Sequence, residues 1–188
     1  MDPVKLIVID LETTGLYPEK GDTIIEIGAV PIQNDTVLME ERFETFVDPN
    51  IPIPPHITRI TGITDDMVRG APPLDESLIR FLSYIGDCPL VAHNAPFDIG
   101  FLEAAARKMG EEYTPPVAVD TCELARKVFP GLPSYSLQNL AARFKIESPA
   151  AHRAVDDARI CLRLFEIECE SLRGKDLTAA DLAAMTKK

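Results

Sequence analysis

Apolar and polar residues follow a different rhythm in the two halves of the chain. Lys5 to Asp10 is an apolar run that stops at an acid, and Thr23 to Ile32 ("TIIEIGAVPI") is a second run of strand character. Val37 to Val47 reads as a third strand, with Met39, Arg42, Glu44 and Thr45 among its apolar positions and a tight turn at Asn34-Asp35 before it. Four prolines make Asp48 to Pro55 irregular, and Arg59 to Met67 reads as short turns or helical pieces.

Helical spacing then takes over. Leu74, Leu78, Phe81, Leu82 and Ile85 recur on one helix face behind Pro72 and Pro73. Pro89 to His93 is a short buried strand. Pro96 opens a helix carrying Phe97, Phe101, Leu102, Ala105 and Met109 along one side, and Gly110 ends it. Val117 to Val119 suits an edge strand, and Thr121–Phe129, Ser136–Phe144 and Val155–Arg173 suit helices. The last of these has a stripe of Ala158, Leu162, Phe165, Cys169 and Leu172, and the spacing of Thr178 and Asp181 predicts a capping box and a short final helix. Strands first, then helices around further strands, predict an α/β architecture with a mixed central sheet covered by helices.

The length of 188 residues suits one domain, expected over residues 1–174, with 175–188 as a short C-terminal helical appendage. Thirty acidic against nineteen basic residues give a net charge of -11, which excludes broad electrostatic affinity for a polyanion. A nucleic-acid role must then rest on a local site, on bound cations or on a partner. No apolar run is long enough for a bilayer and the N-terminus lacks the plan of an export signal, so a cytoplasmic location without a membrane partner is expected. Cys88, Cys122, Cys161 and Cys169 are scattered without metal-ligand spacing and read as buried free thiols.

The acids change this picture. Asp10 and Glu12 sit two apart where the first strand runs out, so they project to the same side and can share a ligand. Thr13, Thr14 and Gly15 follow in a tight turn that lets a substrate chain pass close. Asp98, in "VAHNAPFD", falls in the first turn of a helix after the second strand-like run, a placement that matches that of Asp10. In "AHRAVDDA", His152 precedes a helix with Asp156 and Asp157 in its first turns, and periodicity does not choose between the two. Carboxylates converging from separate segments are hard ligands for Mg²⁺ or Mn²⁺. Two such ions about 4 Å apart serve phosphodiester hydrolysis, with histidine as the acceptor that titrates near neutral pH.

With these motifs in order, the chain resembles the DEDDh branch of the DnaQ-like 3′-to-5′ exonucleases, the group of the proofreading epsilon subunit and the PolC exonuclease domain. "VIDLETTG", "VAHNAPFD" and "HRAVDDA" resemble its first, second and third motifs, and "TGIT" at Thr61–Thr64 is similar to a family segment between the first two. The resemblance implies a ribonuclease H-like fold and two Mg²⁺ or Mn²⁺ ions held by Asp10, Glu12, Asp98 and Asp157, the last chosen over Asp156. It implies His152 as the base and release of nucleoside 5′-monophosphates from single-stranded or frayed DNA 3′ ends, in proofreading or repair. Thr13, Thr14 and Gly15 are then expected to hold the terminal nucleotide, with Leu16, Ile60 and Phe97 as apolar walls.

Asn94 is expected to order the second motif, touch substrate or cap the helix, and His93 to be a hydrogen-bonded structural residue. Lys145, Arg143 and Arg153 are either phosphate contacts or, as the reading preferred here, solvated charges on helix ends. The alternatives are an exoribonuclease like oligoribonuclease or ribonuclease T, and a non-catalytic module serving a DNA polymerase. A clamp-binding tail is not evident, since no glutamine follows Gln138.

Overall fold

A computed structural model describes residues 5–147, 152–172 and 177–187. The expected domain boundary at Gly174 and the helix end at Arg173 lie outside the described residues.

Six strands form one mixed sheet: β1 (Lys5–Thr13), β2 (Ile24–Gln33), β3 (Thr36–Val37), β4 (Phe43–Phe46), β5 (Leu90–Ala92) and β6 (Ala118–Asp120). The order is β3-β2-β1-β5-β6, with β4 also on β2; β1 runs antiparallel to β2 and parallel to β5, and β5 parallel to β6. Asn34 and Asp35 both adopt positive φ, 50° and 58°, as the tight turn between β2 and β3 requires.

The expected third strand is two. Thr36–Val37 and Phe43–Phe46 both pair with β2, and a 3-10 turn over Met39–Glu41 separates them. Glu40, Glu41 and Arg42 are exposed and offer no apolar face to hold continuous strand. The first strand, conversely, continues past the expected stop through Glu12 to Thr13, so its two acids stand within paired strand.

Helices cover both faces. On one, α3 (Leu74–Ile85) and α4 (Ala95–Lys108) bring Leu78, Phe81, Phe101 and Leu102 onto Ile7, Ile9 and Leu11. On the other, α5 (Thr121–Val128), α7 (Ala154–Ser171) and α8 (Ala179–Thr186) pack Leu124, Ala158, Leu162, Phe165 and Leu182 onto Val8, Val30, Val91 and Val119. α1 (Pro55–Thr61) and α2 (Asp65–Val68) form a smaller cluster through Ile57, Ile63 and Val68. α6 (Leu137–Phe144) lies against α5 and α7 through Leu140. The period-two alternation of β1 therefore points Val8, Asp10 and Glu12 to the α7 side. α8 begins in the expected capping box, Thr178 with Asp181. All four cysteines are free, but only Cys161 is fully buried, because the other three lie at the margins of the helical layers.

Candidate active site

The first two acids are aimed by β1 and the third by α7. Candidate ligand oxygens of Asp10, Glu12 and Asp157 all lie within 4.8 Å of one another. At that spacing each pair of ionised carboxylates repels by roughly 3–4 kcal/mol at an effective dielectric constant of about 20. Burial, then the charges of Asp98, Glu12, Asp157 and Glu26, hold Asp10 well above the usual carboxylate range. Glu12 is pushed up to about 8 by burial and by Asp157, Glu26 and Asp98, with Arg153 opposing. Such a group is costly in the absence of positive charge, and its all-oxygen donor set fits a hard divalent cation.

Asp157 and Asp156 separate cleanly. Asp157 is 6% exposed; its Oδ1 accepts from Gln138 Nε2 at 2.9 Å and its Oδ2 from the His152 backbone N–H at 3.0 Å. Burial raises its pKa, and His152, Gln138 and the His152 N–H pull it back. Asp156 instead pairs with Arg159 on the outer side of the helix. Adjacent positions on a helix point about 100° apart, so only one of the two faces the sheet.

Asp98 reaches the group by another route. β1 pairs with β5 at Ile7 and Val8, and β5 ends at Ala92. Beyond that pairing, the Leu11 N–H donates to Asp98 Oδ1 at 3.0 Å, so a carboxylate from the first turn of α4 takes over from a neighbouring strand. Asp98 is 3% exposed and is pushed up to about 8 by burial, against the Leu11 N–H. It is the strongest charge acting on Asp10, yet it stands outside the tight three-acid cluster.

The remaining expected residues divide. Thr13 donates its hydroxyl to Gly15 O at 2.6 Å, and Thr14 Oγ1 accepts from Thr23 N–H at 2.9 Å. Both hydroxyls shape the turn after β1. A Cβ on Gly15 would meet the Asp22 carboxylate at 2.3 Å, and that carboxylate accepts from Tyr17 N–H. Leu16 and Ile60 are 66% and 54% exposed, open for contact, while Phe97 is half-buried against Phe101. Asn94 is exposed, at φ 66°, and its side chain makes no capping bond; its N–H donates to Asp120 instead. His93 is structural as expected: Nε2 donates to Tyr135 O and Nδ1 then accepts from Thr121 Oγ1, both at 2.8 Å. Burial lowers its pKa, in keeping with that neutral ring.

Arg153 departs from its expected solvated state. It forks onto Glu26, which is 1% exposed, and lies over the Phe46 ring at 5.1 Å. Removing one partner of such a pair costs about 3 kcal/mol or more. Glu26, Gly28 and Gln138 are contributors that sequence reasoning missed. The available signals were an acid and a glycine inside the otherwise apolar "IIEIGAV".

A mixed sheet with this acid group at its centre is the arrangement of a nuclease family, and the chain belongs to it: residues 7–165 match the RNase_T exonuclease family. Membership implies divalent-metal dependence, with which the acid cluster agrees. Among individual relatives, the chain is 38% identical over 182 residues to a PolC-type DNA polymerase III of Clostridium perfringens, covering 97% of this chain but 12% of the polymerase. It is 44% identical over 164 residues to the DNA polymerase III subunit epsilon of Treponema pallidum, covering 86% of this chain and 75% of the subunit. Exonuclease X in complex with 5′ overhanging duplex DNA superimposes with a TM-score of 0.76 at 28% identity, over 97% of this chain and 99% of that one. The nuclease domain of 3′hExo, a DEDDh family member bound to rAMP, shares the fold with a TM-score of 0.73 at 23% identity, over 90% and 96%. Among the described residues no helix is long and apolar enough to cross a membrane.

Proposed function

We propose that the chain is a 3′-to-5′ exodeoxyribonuclease that removes nucleoside 5′-monophosphates from single-stranded or frayed DNA ends, beside a replicative polymerase. The observation that carries this reading is the cluster of Asp10, Glu12 and Asp157 within 4.8 Å, next to His152. Relatives that are DNA polymerase III proteins support DNA as the substrate and a polymerase as the partner.

In this reading Asp10, Glu12 and Asp157 hold one Mg²⁺ or Mn²⁺, and Asp10 with Asp98 a second. Bound cations offset the carboxylates and the incoming phosphodiester, and supply the Lewis acidity that water attack on phosphorus needs. His152 takes the proton of the attacking water. The P–O3′ bond to the penultimate nucleotide breaks, and the terminal nucleotide leaves with its 5′-phosphate. The turn at Thr13, Thr14 and Gly15 lets the backbone approach the terminal sugar, and Leu16, Ile60 and Phe97 flank its base. Asn94, exposed within the second motif, is open to touch the substrate strand.

The test uses 5′-labelled DNA and RNA strands of one sequence, single and duplex, with wild type and Asp10→Ala in Mn²⁺. A ladder shortening from the 3′ end, fastest on single-stranded DNA and lost in Asp10→Ala, is expected. Faster digestion of RNA would replace this reading with the exoribonuclease one. No digestion of either polymer would leave the accessory-module reading.

A further inference from the structure

We propose that Glu26 and Arg153 are positioning residues, clamping the start of α7 so that His152 and Asp157 face Asp10 and Glu12. The proposal deepens the exonuclease reading and rests on it.

Glu26 stands directly across from Glu12 in the β1–β2 pairing, so the clamp and the site share one face of the sheet. Arg153 Nε lies 3.1 and 3.2 Å from the two Glu26 oxygens, and Arg153 Nη2 lies 2.7 Å from Oε1. The Ala154 N–H donates to the same carboxylate at 3.0 Å. One acid thus holds two consecutive residues at the junction of loop and helix, and satisfies an N–H that the first turn of a helix leaves without a partner. His152, just before them, sits at φ 67°, a left-handed conformation that a non-glycine residue keeps only when its surroundings impose it. The imposing contacts are the clamp on one side and the bond from His152 N–H to Asp157 on the other.

The sheet leaves room for this. Gly28 pairs with Asp10, and a Cβ there would lie 2.3 Å from the Ala154 carbonyl carbon and the Val155 nitrogen. A side chain at that position would push the helix start off β2. An arginine beside a nuclease site is ordinarily read as a phosphate contact, but here the fork faces a buried carboxylate and the guanidinium lies over Phe46. Its Nε–Nη2 edge is engaged by the protein.

The experiment is steady-state hydrolysis of a 5′-labelled single strand by Arg153→Ala, Arg153→Lys, Glu26→Gln and the double variant Glu26→Gln/Arg153→Ala, each checked for folding by circular dichroism. A positioning role predicts kcat down about ten- to a hundredfold at unchanged KM in both Arg153→Ala and Glu26→Gln, the scale for groups that orient a site's primary ligands. The double variant should be no worse than the poorer single, because the two act as one unit, and Arg153→Lys should recover part of the loss. In the metal-free protein, amide exchange at Ala154 should quicken by about tenfold or more in Glu26→Gln and Arg153→Ala. Should Arg153→Ala not fold, Arg153→Lys and Glu26→Gln carry the same test. A raised KM and a weaker salt dependence with kcat kept would make Arg153 a phosphate contact and overturn the proposal. Wild-type kcat in Glu26→Gln would overturn it too. A wild type without nuclease activity whose Ala154 amide still responds would sink the exonuclease reading and leave the clamp standing.

Discussion

The two ends of α7 bury carboxylates in opposite ways. At the N-terminal end Asp157 accepts from Gln138 and from His152, and Glu26 on the facing strand accepts from Arg153 and Ala154. Toward the C-terminal end Glu168 is 0% exposed, and among the described residues neither of its oxygens has a partner. Burial, with the Asp120 charge second, pushes Glu168 up to about 9, so it is neutral at pH 7. Near-complete burial thus leads to unequal chemistry, and the supply of donors decides which. One end of the helix is equipped to present negative charge to a cation, and the other stores an acid in its uncharged form.

The comparison breaks most visibly at Asp157. Asp157→Asn keeps the shape but removes a charged ligand, and the rate in Mn²⁺ should fall about a thousandfold or more, as expected when several kcal/mol of transition-state stabilisation are lost. In the same variant the rise in Tm expected of wild type on adding Mn²⁺, about 5–10 °C at a hundred times the dissociation constant, should shrink or vanish. A variant that keeps the full Mn²⁺ shift would remove Asp157 from the ligand set.

Gly28→Ala probes the same end through packing alone. The new Cβ displaces the start of α7, and a misplacement approaching 1 Å costs about a hundredfold in rate. The overpacking itself costs about 1–3 kcal/mol, read as a lower Tm. Near-wild-type turnover in a folded Gly28→Ala protein would mean that the helix start does not need its seat on β2.

The smallest effect lies at the other end. A folded-state pKa of about 9, above the ordinary 4.5, means that Glu168 leaves stability intact below pH 4.5 and erodes it as pH rises toward 9. Glu168→Met removes the group at similar volume. Its Tm should exceed that of wild type by about 5 °C near pH 4.5, the value of one buried polar group without a partner, and the gap should widen as pH rises toward 9 and ionisation of Glu168 adds to the cost. Parallel Tm–pH curves for the two proteins would show that Glu168 is not the group that titrates, and the rate in Mn²⁺ should be unchanged throughout.

Much of this was legible in the chain. The apolar runs placed β1, β2, β5 and β6, and the bounds of α3 came out as the spacing predicts. The stretch Val37–Val47 did not, because its charged centre has no face to bury and the chain turns there instead. Arg153 departs from its expected solvated state for a related reason. Its partner Glu26 lies 127 positions away, and no local pattern announces a pairing at that separation.

The sequence by itself determined the layers, the side of β1 from which Asp10 and Glu12 project, and the three motifs, since all of these follow from short-range periodicity and local chemistry. The tertiary structure decided which of Asp156 and Asp157 turns inward, how Asp98 replaces a missing strand at Leu11, and how Glu26 anchors the junction before α7. Those choices depend on the angle and depth at which a helix meets a sheet, and packing between distant segments sets both.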